Sequence, residues 1–195
     1  MKLAHCWSHE RGESVLLEKG LGEVYAEARE MALATRVELV PNRAENNLRV
    51  TRDRILREIA GRGWEIAVSI FPASAPAMLH RGDYRLDATK KTGSGGALGF
   101  ICHFGSSEFL VRQLMLISEA VRRGIADCAV LALMTRDVKA YVPGRPACYE
   151  QAQRLLRAYG ESAFRGIPMV LWGLTPDAVR RELTDVRAGR WAWVQ

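Results

Sequence analysis

The chain has 195 residues, of which 48% are apolar and 26% charged, enough for one globular domain over residues 1–195 with a full core. No apolar run approaches the roughly 20 residues that span a bilayer, and the start, MKLAHCWSHERGE, lacks the apolar core of a secretory signal, so we expect a cytoplasmic protein without a membrane partner. A net charge of +6 and a pI near 9.4 favour a polyanionic partner, although an arginine-rich genome would produce the same balance.

Hydrophobic spacing predicts an α/β sandwich, a central mixed β-sheet flanked by α-helices. The first helix is expected to break near Gly20 and Gly22. The stretch DCAVLALMT is apolar without alternation, which is typical of a strand covered on both faces. In chain order we predict helices over 13–34 and 51–61, strands over 65–71, 80–88 and 98–104, a helix over 106–124, a strand over 127–135, a helix over 147–163, a strand over 166–174 and a helix over 175–186.

The cysteines are far apart in the sequence. Cys6, Cys102, Cys128 and Cys148 form no C-x-x-C pair, so we predict reduced and mostly buried thiols. Cys6 lies between His5 and His9, and this leaves a metal site there as an alternative.

Five stretches in chain order carry a resemblance to a known family: WSHERGESVLLE, GRGW, GDYRLD, FICHFGSSEFLVRQL and YEQAQRLLRAYGESAFRGIPMVLWGL. Together they resemble the BglII and BstYI group of type II restriction endonucleases, within the PD-(D/E)xK nuclease superfamily. The last stretch is the most similar, through its Tyr-Glu-Gln-Ala-Gln run and its Ile-Pro before a strand. The resemblance implies a restriction-endonuclease-like sandwich, a homodimer that clamps double-stranded DNA, and cleavage with Mg²⁺.

The resemblance also implies a catalytic pattern. Such nucleases hold divalent ions with carboxylates beside the scissile phosphate. In the family an Asp on one strand is joined by Glu-x-Gln or Glu-x-Lys on the next, because strand residues i and i+2 share a face. Asp83 matches the aspartate, but the paired positions hold Ile101 and His103. Ile101 cannot bind a metal ion, and His103 is a poor Mg²⁺ ligand that could serve as a base or contact a phosphate.

Migrated carboxylates are an alternative that would restore the site. Asp87 could join Asp83, or Glu108 or Glu119 could reach back from the following helix. Glu108 is equally explained as a charge at a helix N-terminus, and Glu119 as part of a solvated face. The candidate catalytic residues are therefore Asp83, Asp87, His103 and Glu108, with Asp83 and Asp87 as the metal ligands.

Basic segments supply candidate DNA contacts. Arginine and lysine suit phosphates and asparagine suits base edges, although each residue could equally be solvated surface. The stretch TKKTGSGGA is either a phosphate-gripping loop or a plain hairpin turn, and its lysines could also replace the missing active-site amine. The candidates are Arg43, Asn46, Asn47, Arg49, Arg52, Arg81, Lys90 and Lys91.

Three functions are compatible with these patterns. The first is a restriction-endonuclease-like protein that binds double-stranded DNA in a defence system but cleaves it poorly or not at all. The second is an active Mg²⁺-dependent type II endonuclease with a rearranged site around Asp83. The third is a nuclease-fold subunit of a larger complex that acts through protein contacts alone.

Overall fold

The helices and strands alternate along most of the chain. The computed structural model describes residues 1–40, 46–72, 74–75, 84–179, 182–185 and 190–193. The helices are α1 (Gly12–Glu18), α2 (Gly22–Ala34), α3 (Leu48–Gly61), α4 (Leu110–Arg122) and α5 (Tyr149–Ala163). The strands are β1 (Lys2–His9), β2 (Glu38–Leu39), β3 (Glu65–Ser69), β4 (Arg85–Lys91), β5 (Ala97–Cys102), β6 (Cys128–Met134), β7 (Met169–Thr175), β8 (Ala178–Val179), β9 (Glu182–Asp185) and β10 (Arg190–Trp193).

A six-stranded mixed sheet in the order β1-β7-β6-β5-β4-β3 forms the centre of the molecule. Strands β5, β6 and β7 are parallel, whereas β1, β4 and β3 run antiparallel to their neighbours. Every residue of β6 is buried, as its continuous apolar sequence predicts. The predicted α/β sandwich is confirmed. Because β5, β6 and β7 are parallel, their carboxyl ends lie at the same end of the sheet.

Apolar side chains cover both faces of this sheet. On one face, residues of α1, α2 and α3 such as Leu16 and Ile55 share a core with Phe100 and Trp172. On the other face, α4 and α5 pack over a core that contains Ile101. The core thus fixes both strand faces around the end of β5. Among the described residues no helix is long and apolar enough to cross a membrane.

Helix α1 lies very close to β7. A Cβ atom added at Gly12 would lie 2.4 Å from the carbonyl oxygen of Met169, a distance that side chains do not occupy. The chain then breaks between α1 and α2 at Gly20, whose φ is +64°. The break expected near Gly20 and Gly22 in the helix predicted over 13–34 is confirmed, and it divides this stretch into two helices.

Two ends of the chain differ from the sequence prediction. β1 was not predicted, because its residues are mostly half-buried or exposed and give no clear period. The helix predicted over 175–186 was wrong, since this segment contains β8 and β9. Asp177 explains part of the difference: its Oδ2 accepts hydrogen bonds from the Val37 backbone N at 2.7 Å and from the N-terminal amine at 2.9 Å. These bonds place the segment beside residue 37, where β8 pairs with β2.

Candidate functional site at the end of β5

The side chain of Asp87 joins β4 to β5 where their regular pairing stops. The backbone ladder runs from Lys91–Ala97 to Ala88–Phe100. One residue further, Asp87 Oδ2 accepts a hydrogen bond from the Cys102 backbone N at 2.8 Å. Its side chain is only 14% exposed. The Asp87 side chain therefore replaces a backbone hydrogen bond between β4 and β5 at this end of the sheet.

Arg52 of α3 closes this arrangement from the side. Its Nη2 lies 2.5 Å from Asp87 Oδ1, and its Nε donates to the Cys102 carbonyl oxygen at 3.2 Å. Its Nη1 lies 3.4 Å from Asp53 Oδ1. We call Arg52, Asp53, Asp87 and Cys102 the Asp87 site. Burial, with the nearby Asp87 carboxylate, raises the pKa of the Cys102 thiol well above its usual range, so this sulfur is protonated.

His103 follows β5 directly and is 7% exposed. Its Nε2 lies 3.1 Å from the carbonyl oxygen of Ser106, and since a carbonyl only accepts, Nε2 carries the hydrogen. Burial lowers the pKa of His103, and the ring is neutral near pH 7. The other nitrogen, Nδ1, is then unprotonated and able to accept a proton.

Neither Ile101, at the family's ligand position, nor the two candidate glutamates of the following helix lies beside Asp87. Ile101 is 2% exposed and belongs to the core beneath α4. Glu108 is exposed in a short 3-10 helix. Its backbone N donates a hydrogen bond to Ser106 Oγ at 3.3 Å, so Ser106 caps this helix. Glu119 pairs with Arg123 Nε at 2.5 Å on α4. Both glutamates have the surroundings expected for surface helix charges.

A groove of about 470 Å³ opens beside this site, between the start of α3 and the loop 143–146. The exposed side chains of Arg49 and Arg145 line it together with Asn47. Backbone hydrogen bonds fix the loop: Ser107 N donates to Arg145 O at 2.8 Å, and Ala147 N donates to Gly105 O at 2.8 Å. The structure therefore brings Asn47 and Arg49 together and adds Arg145. The sequence analysis missed Arg145, although its Pro-Gly-Arg-Pro turn follows a buried parallel strand.

The two neighbouring asparagines have different surroundings. Asn46 is 6% exposed, and its amide bonds to the backbone N and O of Val40 at 2.9 and 2.6 Å and to the Tyr141 carbonyl at 2.5 Å. Asn47 is exposed and caps α3 by accepting from the Arg49 backbone N at 3.0 Å. Asn46 thus ties three segments together, whereas Asn47 faces the groove.

The lysines lie on β4 and not in a loop. Lys90 Nζ lies 2.9 Å from both carboxylate oxygens of Glu27, and it also donates to the Arg62 carbonyl at 2.9 Å. Lys91 is exposed at the end of β4. The following turn uses its own groups, since Gly96 N donates to Thr92 Oγ1 at 3.1 Å. These contacts suit the plain hairpin alternative.

Three predicted site residues, Arg43, Arg81 and Asp83, lie outside the described residues. The alternative metal site near Cys6 does not form. His5 stacks on Tyr149 with ring centroids 5.2 Å apart, and His9 Nε2 contacts the Phe164 carbonyl at 3.2 Å. The Cys6 thiol instead lies 3.5 Å from the hydroxyl of Tyr25.

Comparisons with known proteins give one consistent result. No family model matches the chain, and the curated proteins give no significant match. Among solved structures, the restriction endonuclease BglII complexed with a DNA 16-mer superposes with a TM-score of 0.70 at 16% identity, over 100% of this chain and 92% of that one. Free BglII gives a TM-score of 0.62 at 16% identity, over 100% and 91%. The chain has a restriction-endonuclease fold.

Restriction endonucleases typically depend on a metal ion, and the resemblance described above implies Mg²⁺. Mg²⁺ requires an octahedral set of oxygen ligands. At Asp87 one carboxylate oxygen faces a guanidinium and the other accepts a backbone hydrogen bond. Within the described ranges no group of three or more His, Cys, Asp or Glu side chains could hold a metal ion. These residues do not fit Mg²⁺.

Proposed function

We propose that this protein binds double-stranded DNA and cleaves it poorly or not at all, within a defence or restriction system. The groove lined by Arg49, Arg145 and Asn47 carries the proposal. Two guanidinium groups suit phosphates, and an exposed amide suits a base edge. The fold similarity to BglII, whose solved complex contains DNA, supports the same ligand class.

Impaired cleavage is the second part of the proposal. The family pattern needs a second ligand on the strand after the aspartate, and that position holds a buried isoleucine, Ile101. The neighbouring His103 is buried, which lowers its pKa and keeps the ring neutral near pH 7, and a neutral imidazole is a poor ligand for Mg²⁺. We therefore expect recognition to survive while hydrolysis is lost.

DNA binding is tested by fluorescence anisotropy with a mixed-sequence duplex over a range of salt concentrations. The logarithm of the binding constant falls as the logarithm of the salt concentration rises, and each lost phosphate contact makes this slope shallower by about 0.9. We expect Arg49→Gln and Arg145→Gln each to weaken binding and reduce the slope by about this amount. Arg165→Gln is the matched control, because Arg165 is exposed after α5, at the opposite end of the sheet. Absence of salt-sensitive binding in the wild type would favour the protein-contact alternative.

Cleavage is tested on long duplex DNA with Mg²⁺ and then with Mn²⁺, using the wild type beside Asp83→Ala. We expect uncut DNA in every lane. Discrete fragments that disappear in Asp83→Ala would contradict the proposal and identify an active endonuclease with a rearranged site.

Partners complete the proposal. We propose a second copy of this chain, in line with the homodimer that the resemblance implies, or a place as a subunit beside an active nuclease in a larger defence complex. Exposed apolar side chains on and before α4 support a protein partner: Phe109, Val111 and Met115 are 48%, 50% and 48% exposed.

A further inference from the structure

Three oxygen atoms of the Asp87 site face one cation, the guanidinium of Arg52. Asp87 Oδ1 lies 2.5 Å from Nη2, the Cys102 carbonyl oxygen 3.2 Å from Nε, and Asp53 Oδ1 3.4 Å from Nη1. Two carboxylates and one backbone carbonyl are the kind of donor set that a hard divalent ion takes in other proteins. Here they come from α3, β4 and β5 and converge on a side chain.

We propose that the guanidinium of Arg52 takes the place of a divalent metal ion at the end of β4 and β5. It neutralises Asp53 and Asp87 together and links α3 to both strands. A divalent ion approaching Asp87 would meet this fixed positive charge. Arg52 is therefore a positioning residue, and Asp87 joins the strands without serving as a metal ligand.

The local chemistry supports a permanent organic cation over an exchangeable ion. Arginine keeps its charge at every physiological pH, and its planar fork matches oxygen atoms in several directions. Burial disfavours the charge of Arg52, but the carboxylate of Asp87 outweighs this effect and raises the arginine pKa above its usual value.

The proposal is tested by Mn²⁺ titration of the full chain without DNA, with free Mn²⁺ followed by electron paramagnetic resonance. The variants are Asp87→Asn, Arg52→Gln, Arg52→Lys and the double variant Arg52→Gln with Asp87→Asn. Arg52→Gln removes the charge but keeps an amide donor, and Arg52→Lys keeps the charge. Circular dichroism verifies that each variant is folded.

We expect equal Mn²⁺ uptake by the wild type, Asp87→Asn and Arg52→Lys. At the Asp87 site, the Mn²⁺ affinity of Arg52→Gln should be about tenfold higher than that of the wild type, because the repelling charge is gone. This variant should therefore take up one ion more than the wild type. The double variant should lose that ion. An ion held elsewhere, for example by Asp83 alone, appears in all variants and cancels in the differences.

Two results would overturn the proposal. One is lower Mn²⁺ uptake by Asp87→Asn than by the wild type, which would make Asp87 a ligand in the native protein. The other is a folded Arg52→Gln that gains no ion. If Arg52→Gln does not fold, the comparison between the wild type and Asp87→Asn still decides. The readout is independent of DNA, so failure of DNA binding and failure of this inference are distinguishable.

Discussion

At the scale of single residues, His103 should make stability depend on pH. Burial lowers its pKa in the folded chain, so on acidification the unfolded chain binds the proton first. The free energy of unfolding should be constant for this group above the unfolded pKa of about 6.5 and should fall as the pH drops below it. His103→Gln keeps a donor for the Ser106 carbonyl but does not titrate.

We therefore expect His103→Gln to lose less stability than the wild type between about pH 7.5 and about pH 5.5. Urea unfolding at the two pH values measures the difference. An identical loss in both proteins would contradict the neutral buried ring. The other histidines cancel in this comparison.

Asn46 and Asn47 should differ in what they contribute. Asn46→Ala leaves the Val40 N–H and the Tyr141 carbonyl without their buried partner, and should lower the free energy of unfolding by about 2–4 kcal/mol. Asn47→Ala removes only a helix cap and should cost about 1 kcal/mol. Urea unfolding of both variants compares the losses, and a larger loss for Asn47→Ala would refute the assignment of Asn46 as the structural residue.

At the scale of elements, the close approach of α1 to β7 requires Gly12. A methyl group there meets the Met169 backbone, which cannot move without disturbing the sheet, so Gly12→Ala should cost about 1–3 kcal/mol. Gly22→Ala is the matched control, since a Cβ at Gly22 meets nothing within 4 Å and alanine is the better helix former. Thermal unfolding distinguishes the two, and equal midpoints would show that α1 adjusts freely.

At the scale of the whole molecule, a second copy of the chain should cover the apolar side chains around α4. Met115→Glu places a charge among them and should shift a homodimer towards monomer. Leu17→Glu is the control, because Leu17 is an exposed apolar side chain on α1, over the other face of the sheet. Light scattering after size-exclusion chromatography measures the mass. A monomeric wild type, or an equal shift in both variants, would argue against this face.

Hydrophobic patterning was enough to predict the buried strands of the sheet and the helices that cover them. β6 has seven consecutive buried residues, and α4 and α5 show apolar residues at helical spacing. In these elements the local sequence pattern is enough to predict which residues are buried. The same pattern did not predict β1 or the strands after Asp177. β1 and β8 pair with strands far away in the chain, and such pairing leaves no local pattern in the sequence.

The sequence by itself determined the α/β sandwich, the positions of its buried strands along the chain and the apolar residue at position 101. Only the tertiary structure decided which polar groups meet. It buried Asn46 and exposed Asn47, placed Arg145 beside Arg49, and set Arg52 between Asp53 and Asp87. The reason is physical: burial follows from short-range spacing of apolar residues. The contacts of Asn46 with Tyr141 and of Arg52 with Asp87 instead require elements far apart in the chain to come within about 3 Å of each other.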